Sequence, residues 1–600
     1  MFTFFFHCPL IYLYVNKTLP LLHFTTGFGR LFSLPLVPPI CQKEAVDDAT
    51  GVCNPDAWRI ETRHTADVVW CCSLCLAKSG GRCMFDEIAA KAGRPRVLAL
   101  RRTKAGMENV KYDRTGSVDP EWQHIRIVVF AEDMKDRSRY CTSAGQERPT
   151  FFGETATCSQ EDILTAAKRD IAVTKLLPSA VQMHMDRLLV DPITEPLVFP
   201  PFDGSVCSEF KVPSSHFSEG VPDADMVMYA AAGPTPEGVA AWATGCITLD
   251  DGRAVAGVTN LGPGSISLSE TSIRTAAHEI AHALGFDFEA MNDAGMVQRI
   301  PGVRGKVDVT LISSPRTLQK AREHYNCPDA PGMELEDEGG SGTALSHWER
   351  RNAKDEIMSG ISSPGRYTAL TMAAFEDLGY YRGAWGSEEP MGWGNNSGCE
   401  LLNESCLVNG VTAHPDMFCN ETVSKLVCNS ERDGLGRCNV IKHENPLPPQ
   451  YHYFSDPSRG APSHLLMDYC PSIDAFSNTP CADGETKFMR GSLIGPSSMC
   501  LKAEGLRDSQ GVIGDVCADV RCDGGEVSIR YLGDDAWHPC PEGSHIKPTT
   551  TFTDGVIVCP TYSEVCIKAT VVVRPSSASY RSSVPQSLLL TLFAIVYAAC

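Results

Sequence analysis

Apolar residues in the first half of the chain are grouped into short runs of the kind that form sheet strands. β-Branched and other apolar residues dominate residues 124–130, 226–230 and 254–261. Such runs predict the strands of a largely buried sheet. The longer segments between these runs leave room for helices, so we expect strands and helices within one domain.

Two stretches have the pattern of an amphipathic helix. Residues 163–177 follow Ser159 and Asp162, whose spacing is typical of a helix N-terminus, and Pro178 should end or kink this helix. Residues 271–284 form an Ala-rich, apolar stretch that predicts a second helix. A strand followed by a helix at the start of this region indicates an α+β domain.

Composition narrows the class of protein. The chain has 600 residues, a net charge of -20 and 26 cysteines. The negative charge disfavours nucleic acid as a partner, and cysteines spread along the whole chain favour an oxidising compartment. Eighteen of the cysteines lie from Cys141 to Cys566, an even number that could pair into nine disulfides.

Further features of export lie in the C-terminal half of the chain. Three N-x-S/T glycosylation sequons occur in the cysteine-rich stretch, at Asn395, Asn403 and Asn420. Residues 587–600 form an apolar tail too short to cross a bilayer comfortably, so the small residues upstream indicate a glycosylphosphatidylinositol (GPI) anchor signal. The expected attachment region is Ser576, Ser577, Ala578 and Ser579. A short terminal strand or helix is the alternative for the tail.

The chemistry-bearing motif lies in the second predicted helix. His278, Glu279 and His282 form H-E-x-x-H, and residues four apart share one helix face, so both imidazoles can reach one metal ion. A catalytic zinc needs a third protein ligand. Gly285 follows as in the metzincin motif H-E-x-x-H-x-x-G-x-x-H, but Phe288 stands where the third histidine belongs.

The absence of a histidine at position 288 and the sequence downstream resemble the leishmanolysin family. In that family an insertion separates the glycine from the third histidine. Residues 277–286 match the family's zinc-binding helix, and residues 339–358 match its third-histidine and Met-turn region. The resemblance implies one zinc ion per chain, held by His278, His282 and His347, with Glu279 as general base. It also implies that Met358 is the Met-turn residue.

The resemblance extends to a short motif near the N-terminus. Residues 82–86 look like the family's inhibitory cysteine motif, so Cys83 is a candidate cysteine switch that blocks the zinc in a precursor. A structural disulfide from Cys83 to the cysteines at 71–75 is the alternative.

Two further expectations follow from the resemblance, which covers about residues 126–566. The family layout implies that Cys141 pairs with Cys158 and Cys207 with Cys246. It also implies that the strand near residues 255–259 pairs with an extended substrate backbone.

The implied fold is a metzincin-like α+β catalytic domain followed by a disulfide-rich, mostly β C-terminal domain. We expect these segments: 1–40, a signal or a mis-assigned start; 41–104, a pro-segment; 105–285, an N-terminal catalytic subdomain; 286–394, a central subdomain with the third zinc ligand and the Met-turn; 395–575, the C-terminal domain; and 576–600, the anchor signal.

The implied function is that of a zinc metalloendopeptidase, made as a zymogen, that hydrolyses proteins or peptides. It would be exported to the cell surface on a lipid anchor, or secreted. One alternative is a non-catalytic surface adhesin that keeps the fold. Another is a closed structural zinc site with a fourth ligand from the acidic run 334–338, which we otherwise expect to be a solvated loop.

Overall fold

The computed structural model describes most of the chain between residues 83 and 566. The described residues are 12–14, 21–25, 31–35, 83–97, 100–103, 106–109, 122–202, 206–340, 343–361, 365–421 and 424–566. The predicted anchor region at 576–579 therefore lies outside the described residues. Within the described part, no helix has the length and apolar character needed to span a bilayer.

The chain divides into two compact units, Met1–Ala77 and Lys78–Cys600. The described part of the first unit is a three-stranded antiparallel sheet of β1 (Tyr12–Tyr14), β2 (Leu21–Thr25) and β3 (Leu31–Pro35).

The first part of the second unit contains both helices and strands, in agreement with the α+β prediction. Its elements are α1 (Phe85–Ala92), β4 (Arg96–Val97), β5 (Leu100–Thr103), β6 (Gly106–Asn109), β7 (Gln123–His124), β8 (Ile127–Phe130), β9 (Glu147–Pro149), β10 (Thr155–Thr157), α2 (Ala166–Ile171), α3 (Leu177–Met185), β11 (Leu188–Val190), β12 (Met226–Ala231), β13 (Ala241–Thr248), β14 (Ala254–Leu261) and α4 (Glu270–Ala283).

A five-stranded mixed sheet is the centre of this region, with the strand order β4-β13-β14-β12-β8. β12 runs parallel to both β8 and β14, whereas β13 is antiparallel to β14. β14 is therefore paired on both of its edges. The expectation that the strand near 255–259 binds substrate is wrong, because no edge of that strand is free to accept another backbone.

Side chains on the two faces of the sheet enter two different hydrophobic cores. On β12, Met226 and Met228 pack in the core that contains α3 and α4, whereas Val227 and Tyr229 pack in the opposite core. This alternation is the two-residue period of a strand. Because both faces are covered, the strand sequences read as almost continuous apolar runs.

The first predicted helix differs from its expected form. It begins at α2, where the Thr165 side chain accepts a hydrogen bond from the Lys168 amide, so Ser159 is not its cap. A π-helical segment, Ala172–Leu176, then leads into α3. Pro178 lies at the start of α3 and does not end the helix, because the wider π-turn changes the hydrogen-bond pattern where the proline lacks a donor.

The central segment alternates short helices and strands. Its elements are α5 (Phe288–Asp293), β15 (Val297–Pro301), β16 (Asp308–Ile312), α6 (Pro315–Tyr325), β17 (Met333–Glu334), α7 (Ala369–Asp377) and β18 (Arg382–Gly383). Strands β15, β16 and β17 form one antiparallel sheet. Helices α6 and α7 pack against each other.

The C-terminal part consists mainly of short strands, as expected. Its elements are α8 (Gly398–Asn403), β19 (Val427–Cys428), β20 (Gly434–Cys438), β21 (Ile441–Lys442), β22 (Arg459–Gly460), β23 (Ile473–Pro480), β24 (Ser498–Leu501), β25 (Ala503–Asp508), β26 (Gly511–Val512), β27 (Val516–Asp523), β28 (Glu526–Arg530), β29 (His538–Pro539), β30 (His545–Ile546), β31 (Asp554–Val558) and α9 (Tyr562–Val565).

Disulfides are concentrated in the C-terminal part. The described residues contain nine: Cys141–Cys158, Cys207–Cys246, Cys327–Cys399, Cys406–Cys470, Cys419–Cys438, Cys428–Cys500, Cys481–Cys517, Cys522–Cys566 and Cys540–Cys559. The first two are the pairs that the family layout implied. Small β domains with modest cores gain stability from such bridges, because each one restricts the unfolded chain.

Candidate metal centre

Helix α4 presents the H-E-x-x-H residues to a buried cluster. Its N-terminus is capped by the Ser269 side chain, which accepts a hydrogen bond from the Ser272 amide. Ile273, Ala277 and Ile280 pack in the hydrophobic core on one side of the helix. The opposite side of helix α4 faces the sheet, so it can carry polar residues without exposing them to solvent.

Gly285 ends this helix with a turn that other residues adopt with strain. Its φ is 108°, and a Cβ atom there would lie 2.9 Å from the Tyr380 hydroxyl oxygen. Only glycine fits both restrictions. The turn places the Phe286 carbonyl oxygen 2.7 Å from His282 Nδ1.

The structure brings His347 to the two helix histidines, although it lies far along the chain. The Nε2 atoms of His278 and His282 are 3.2 Å apart, and His347 Nε2 lies 3.1 Å from that of His282 and 3.3 Å from that of His278. All three imidazoles are buried. Three ring nitrogens from two distant segments therefore converge on one point.

The outer nitrogen of each imidazole has a fixed partner. His278 Nδ1 lies 2.5 Å from the Ile357 carbonyl oxygen, and His347 Nδ1 lies 2.8 Å from that of Thr343. With His282 bonded to the Phe286 carbonyl oxygen, every Nδ1 must carry the proton. The three Nε2 lone pairs then face one another, which is favourable only around a cation. The donor set therefore fits a metal ion.

Burial favours the neutral, metal-binding form of these imidazoles. It lowers the pKa of His278 to about 4 and that of His347 to about 3. Burial also lowers the pKa of His282, and the neighbouring histidines lower it further. Neutral imidazole is a preferred ligand of zinc and related transition metals.

Glu279 lies beside the three imidazoles. It is 2% exposed, and burial raises the pKa of its carboxyl to about 8, while hydrogen bonds from Cys83 and the Ala243 amide act in the opposite direction. A carboxyl group in this position can hold a proton near neutral pH. That is the property required of a general base that later acts as an acid.

Met358 is fully buried and belongs to a short segment that contacts two of the histidine-bearing parts of the chain. Its carbonyl oxygen accepts a hydrogen bond from the Trp348 amide, and Trp348 follows His347 directly. The preceding residue, Ile357, holds His278 through its carbonyl oxygen. The Met358 segment therefore fixes parts of both histidine positions.

Cys83 is the free cysteine of the described residues, and it lies at the same cluster. Its Sγ is 3.5 Å from His282 Nε2 and 3.6 Å from Glu279 Oε2. The Phe85 ring stacks on the His282 ring, with centroids 4.1 Å apart and planes 5° from parallel. Burial, followed by the charge of Glu279, raises the pKa of the Cys83 thiol.

Further contacts of this N-terminal segment were not anticipated from the sequence. The Ser346 hydroxyl donates to the Asp86 carboxylate, and the Thr343 hydroxyl donates to the Cys83 carbonyl oxygen. Phe85 and Asp86 adjoin the recognised cysteine, and Ser346 adjoins His347. This adjacency was the only sequence signal that could have indicated them.

The acidic run is the clearest difference from expectation. Glu334 and Glu336 are 5% and 0% exposed, so the run is not a solvated loop. Its carboxylates form a metal-binding geometry of their own rather than joining the three histidines. The three sequon residues are all exposed, as glycosylation requires: Asn395, Asn403 and Asn420.

The three imidazoles form a candidate site for one metal ion with a buried carboxylate beside it, an arrangement that fits a metal-dependent hydrolase. A sequence model of the leishmanolysin peptidase family matches residues 94–572. Leishmanolysin of Leishmania major is 38% identical over 465 residues, which cover 75% of this chain and 77% of that protein.

Leishmanolysin of Leishmania amazonensis is 36% identical over 521 residues, 81% of this chain and 86% of that protein. A leishmanolysin-like peptidase of Drosophila melanogaster is 31% identical over 363 residues, 46% of this chain and 52% of that protein. The chain belongs to the leishmanolysin family of metallopeptidases.

Proposed function

We propose that the protein is a zinc-dependent endopeptidase that is made as a latent precursor and acts at the cell surface. The convergence of three Nε2 atoms within 3.3 Å of one another, next to Glu279, is the observation that carries the proposal. His278, His282 and His347 would hold the ion. When bound, zinc supplies Lewis acidity, which polarises the scissile carbonyl and lowers the pKa of a water molecule.

The chain's own residues perform the proton transfers. A Glu279 carboxylate oxygen takes a proton from the attacking water as the remaining hydroxide adds to the carbonyl carbon. Glu279 then delivers that proton to the leaving nitrogen as the C–N bond breaks. Its burial away from solvent keeps the proton available for this second step.

The free edge of β13 is the better candidate for substrate binding. One edge of β13 pairs with β14, and the other pairs with β4 only at Ile247 and Thr248. Ala243, earlier on the same strand, donates its amide hydrogen to Glu279. An extended peptide paired with β13 would therefore pass close to the general base.

Latency would depend on the segment that contains Cys83. A thiolate is a strong zinc ligand, and Cys83 lies within 3.6 Å of both His282 and Glu279. In the same segment, β4 pairs with the proposed substrate edge at Ile247 and Thr248, and helix α1 packs against β13. Removal of residues 41–104 would open both the metal and β13.

Placement at the cell surface is supported by the disulfides and by the three exposed sequon residues. We keep the segment boundaries and the lipid anchor at 576–579 as parts of the proposal. No observation supports the alternative of a non-catalytic adhesin.

The test separates the general base from a metal ligand in the mature protein. Glu279→Gln keeps the side-chain size but cannot accept a proton, so proteolysis of casein should fall by at least about 10²- to 10⁴-fold while zinc stays bound. His347→Ala should instead reduce zinc content, because it removes one of three ligands.

Zinc measured by atomic absorption and casein hydrolysis, on the same preparations, give the two readouts. Parent-rate cleavage by Glu279→Gln would refute the role of the base. Unchanged zinc affinity in His347→Ala would mean that the third ligand lies elsewhere.

A further inference from the structure

A second group of carboxylates, most of them buried, lies apart from the three histidines. We call it the acidic cluster, and it consists of Glu334, Glu336, Asp337, Glu338, Glu349 and Asp468. Among the described residues, two cationic side chains reach it within 4.0 Å, those of Arg304 and Lys306. Six carboxylates therefore share two positive charges.

The two cations serve only part of the cluster. Arg304 donates to Glu334 at 2.6 Å, and Lys306 Nζ lies 2.8 Å from Asp468 and 3.0 Å from Asp337. These pairs are short enough to be strong in a buried setting. The remaining carboxylates have no cationic side chain at such a short distance within the described residues.

Glu336 and Glu349 are both 0% exposed, and no short ion pair reaches either of them within the described part of the chain. Among the described residues, the amides of Glu338 and Arg350 donate hydrogen bonds to the Glu336 carboxylate. Glu349 Oε2 accepts no hydrogen bond, and its nearest cation, Lys306 Nζ, is 3.6 Å away. Burying an ionised carboxylate without a partner costs several kcal/mol, so these oxygens need a further positive charge.

The geometry points to a bound Ca²⁺ ion. One oxygen from each of Glu336, Asp337 and Glu349 lies within 4.8 Å of the others. Ca²⁺ binds oxygens at about 2.3–2.6 Å, so ligands on opposite sides of the ion lie roughly 4.6–5.2 Å apart. We propose that these three carboxylates form a second metal site, selective for Ca²⁺ and separate from the three-histidine site.

Calcium is favoured over other divalent ions by the ligand set. All the ligand atoms are carboxylate oxygens, which suit hard cations, whereas zinc prefers nitrogen and sulfur. Mg²⁺ demands near-ideal octahedral geometry at about 2.0–2.1 Å and usually keeps several water ligands, so a set of three protein carboxylates favours Ca²⁺. The Asp337 side chain is 36% exposed, so water can complete the coordination and the ion has a route of entry.

This site would act on the third histidine through the backbone. The Glu336 amide donates to the His347 carbonyl oxygen at 2.9 Å, and the Leu345 amide donates to the Glu336 carbonyl oxygen at 2.8 Å. Glu349 follows His347 by two residues. A bound Ca²⁺ ion would therefore hold both His347's own segment and the Glu336 segment paired with it.

The test measures calcium directly, in the full chain with its zinc retained. After dialysis against calcium-free buffer, titration with CaCl₂ should show one ion bound per chain, with a Kd in the range of roughly 10⁻⁶ to 10⁻⁴ M. The same addition should raise Tm. Glu336→Gln should weaken binding by at least about tenfold, because it removes a ligand charge.

Glu444→Gln is the matched control, since it makes the same change at an exposed glutamate outside the acidic cluster, and it should bind Ca²⁺ like the parent. Asp337→Asn, at a partly exposed position, provides a second ligand variant should Glu336→Gln fold poorly. Atomic absorption on each variant checks that zinc remains, which separates this site from the catalytic one.

Two outcomes would overturn the proposal. A parent chain that binds no Ca²⁺ at about 1 mM, well above this Kd range, would mean that protons neutralise the cluster. Affinities in Asp337→Asn and Glu336→Gln equal to that of Glu444→Gln would place the bound ion elsewhere.

Discussion

The stacked ring of Phe85 is expected to hold the precursor in its latent state. Phe85 is 4% exposed and lies flat on the imidazole of His282, at a centroid distance of 4.1 Å. Truncating a buried phenylalanine to alanine typically costs 3–5 kcal/mol. In Phe85→Ala that loss would weaken docking of the pro-segment. The stability of the mature enzyme would not change, since the mature enzyme would lack this residue.

The expected activity of the uncleaved precursor follows from that energy. Each 1.4 kcal/mol changes a population ratio tenfold, so the undocked fraction of the precursor should rise by about 10²-fold to a few thousand-fold. Activity of the uncleaved precursor on a fluorogenic peptide, divided by its activity after limited proteolysis, measures this fraction. The mature enzyme from Phe85→Ala should match the parent in kcat/KM.

A general loss of stability must be distinguished from a loss of latency. Phe552→Ala removes a similarly buried ring from the C-terminal core and should lower Tm without activating the precursor. Cys83→Ala should activate it. If Phe85→Ala stays as latent as Phe552→Ala while Cys83→Ala is active, the ring has no part in latency.

Three further predictions concern stability and anchoring. Replacing both Cys207 and Cys246 by serine opens a disulfide that spans 39 residues, which should cost about 4 kcal/mol in urea unfolding; an unchanged midpoint would refute this. Gly285→Ala should cost about 1–3 kcal/mol and lower zinc content, because the new Cβ meets the Tyr380 hydroxyl and φ is positive; parent-like Tm and zinc would contradict it. A phospholipase specific for GPI anchors should release the protein from expressing cells, and retention of residues 576–600 in the mature chain would disprove the anchor.

The sequence by itself determined the local features of the candidate site. Residues four apart in a helix share a face, so the spacing of His278 and His282 in an Ala-rich stretch was enough to predict their common direction. The end of this helix at Gly285 was likewise predictable from neighbouring residues. The two disulfides near the N-terminus came from resemblance to the family rather than from spacing.

Only the tertiary structure decided which features come together across the chain. His347 reaches His282 because backbone hydrogen bonds join its segment to those of Glu336 and Met358, and β14 proved to be a central strand because β12 and β13 flank it. The acidic run looked solvated by composition, yet Glu334 and Glu336 within it are buried. Periodicity and helix capping depend on neighbours within a few residues, whereas strand order and burial depend on contacts between distant segments, which no local pattern specifies.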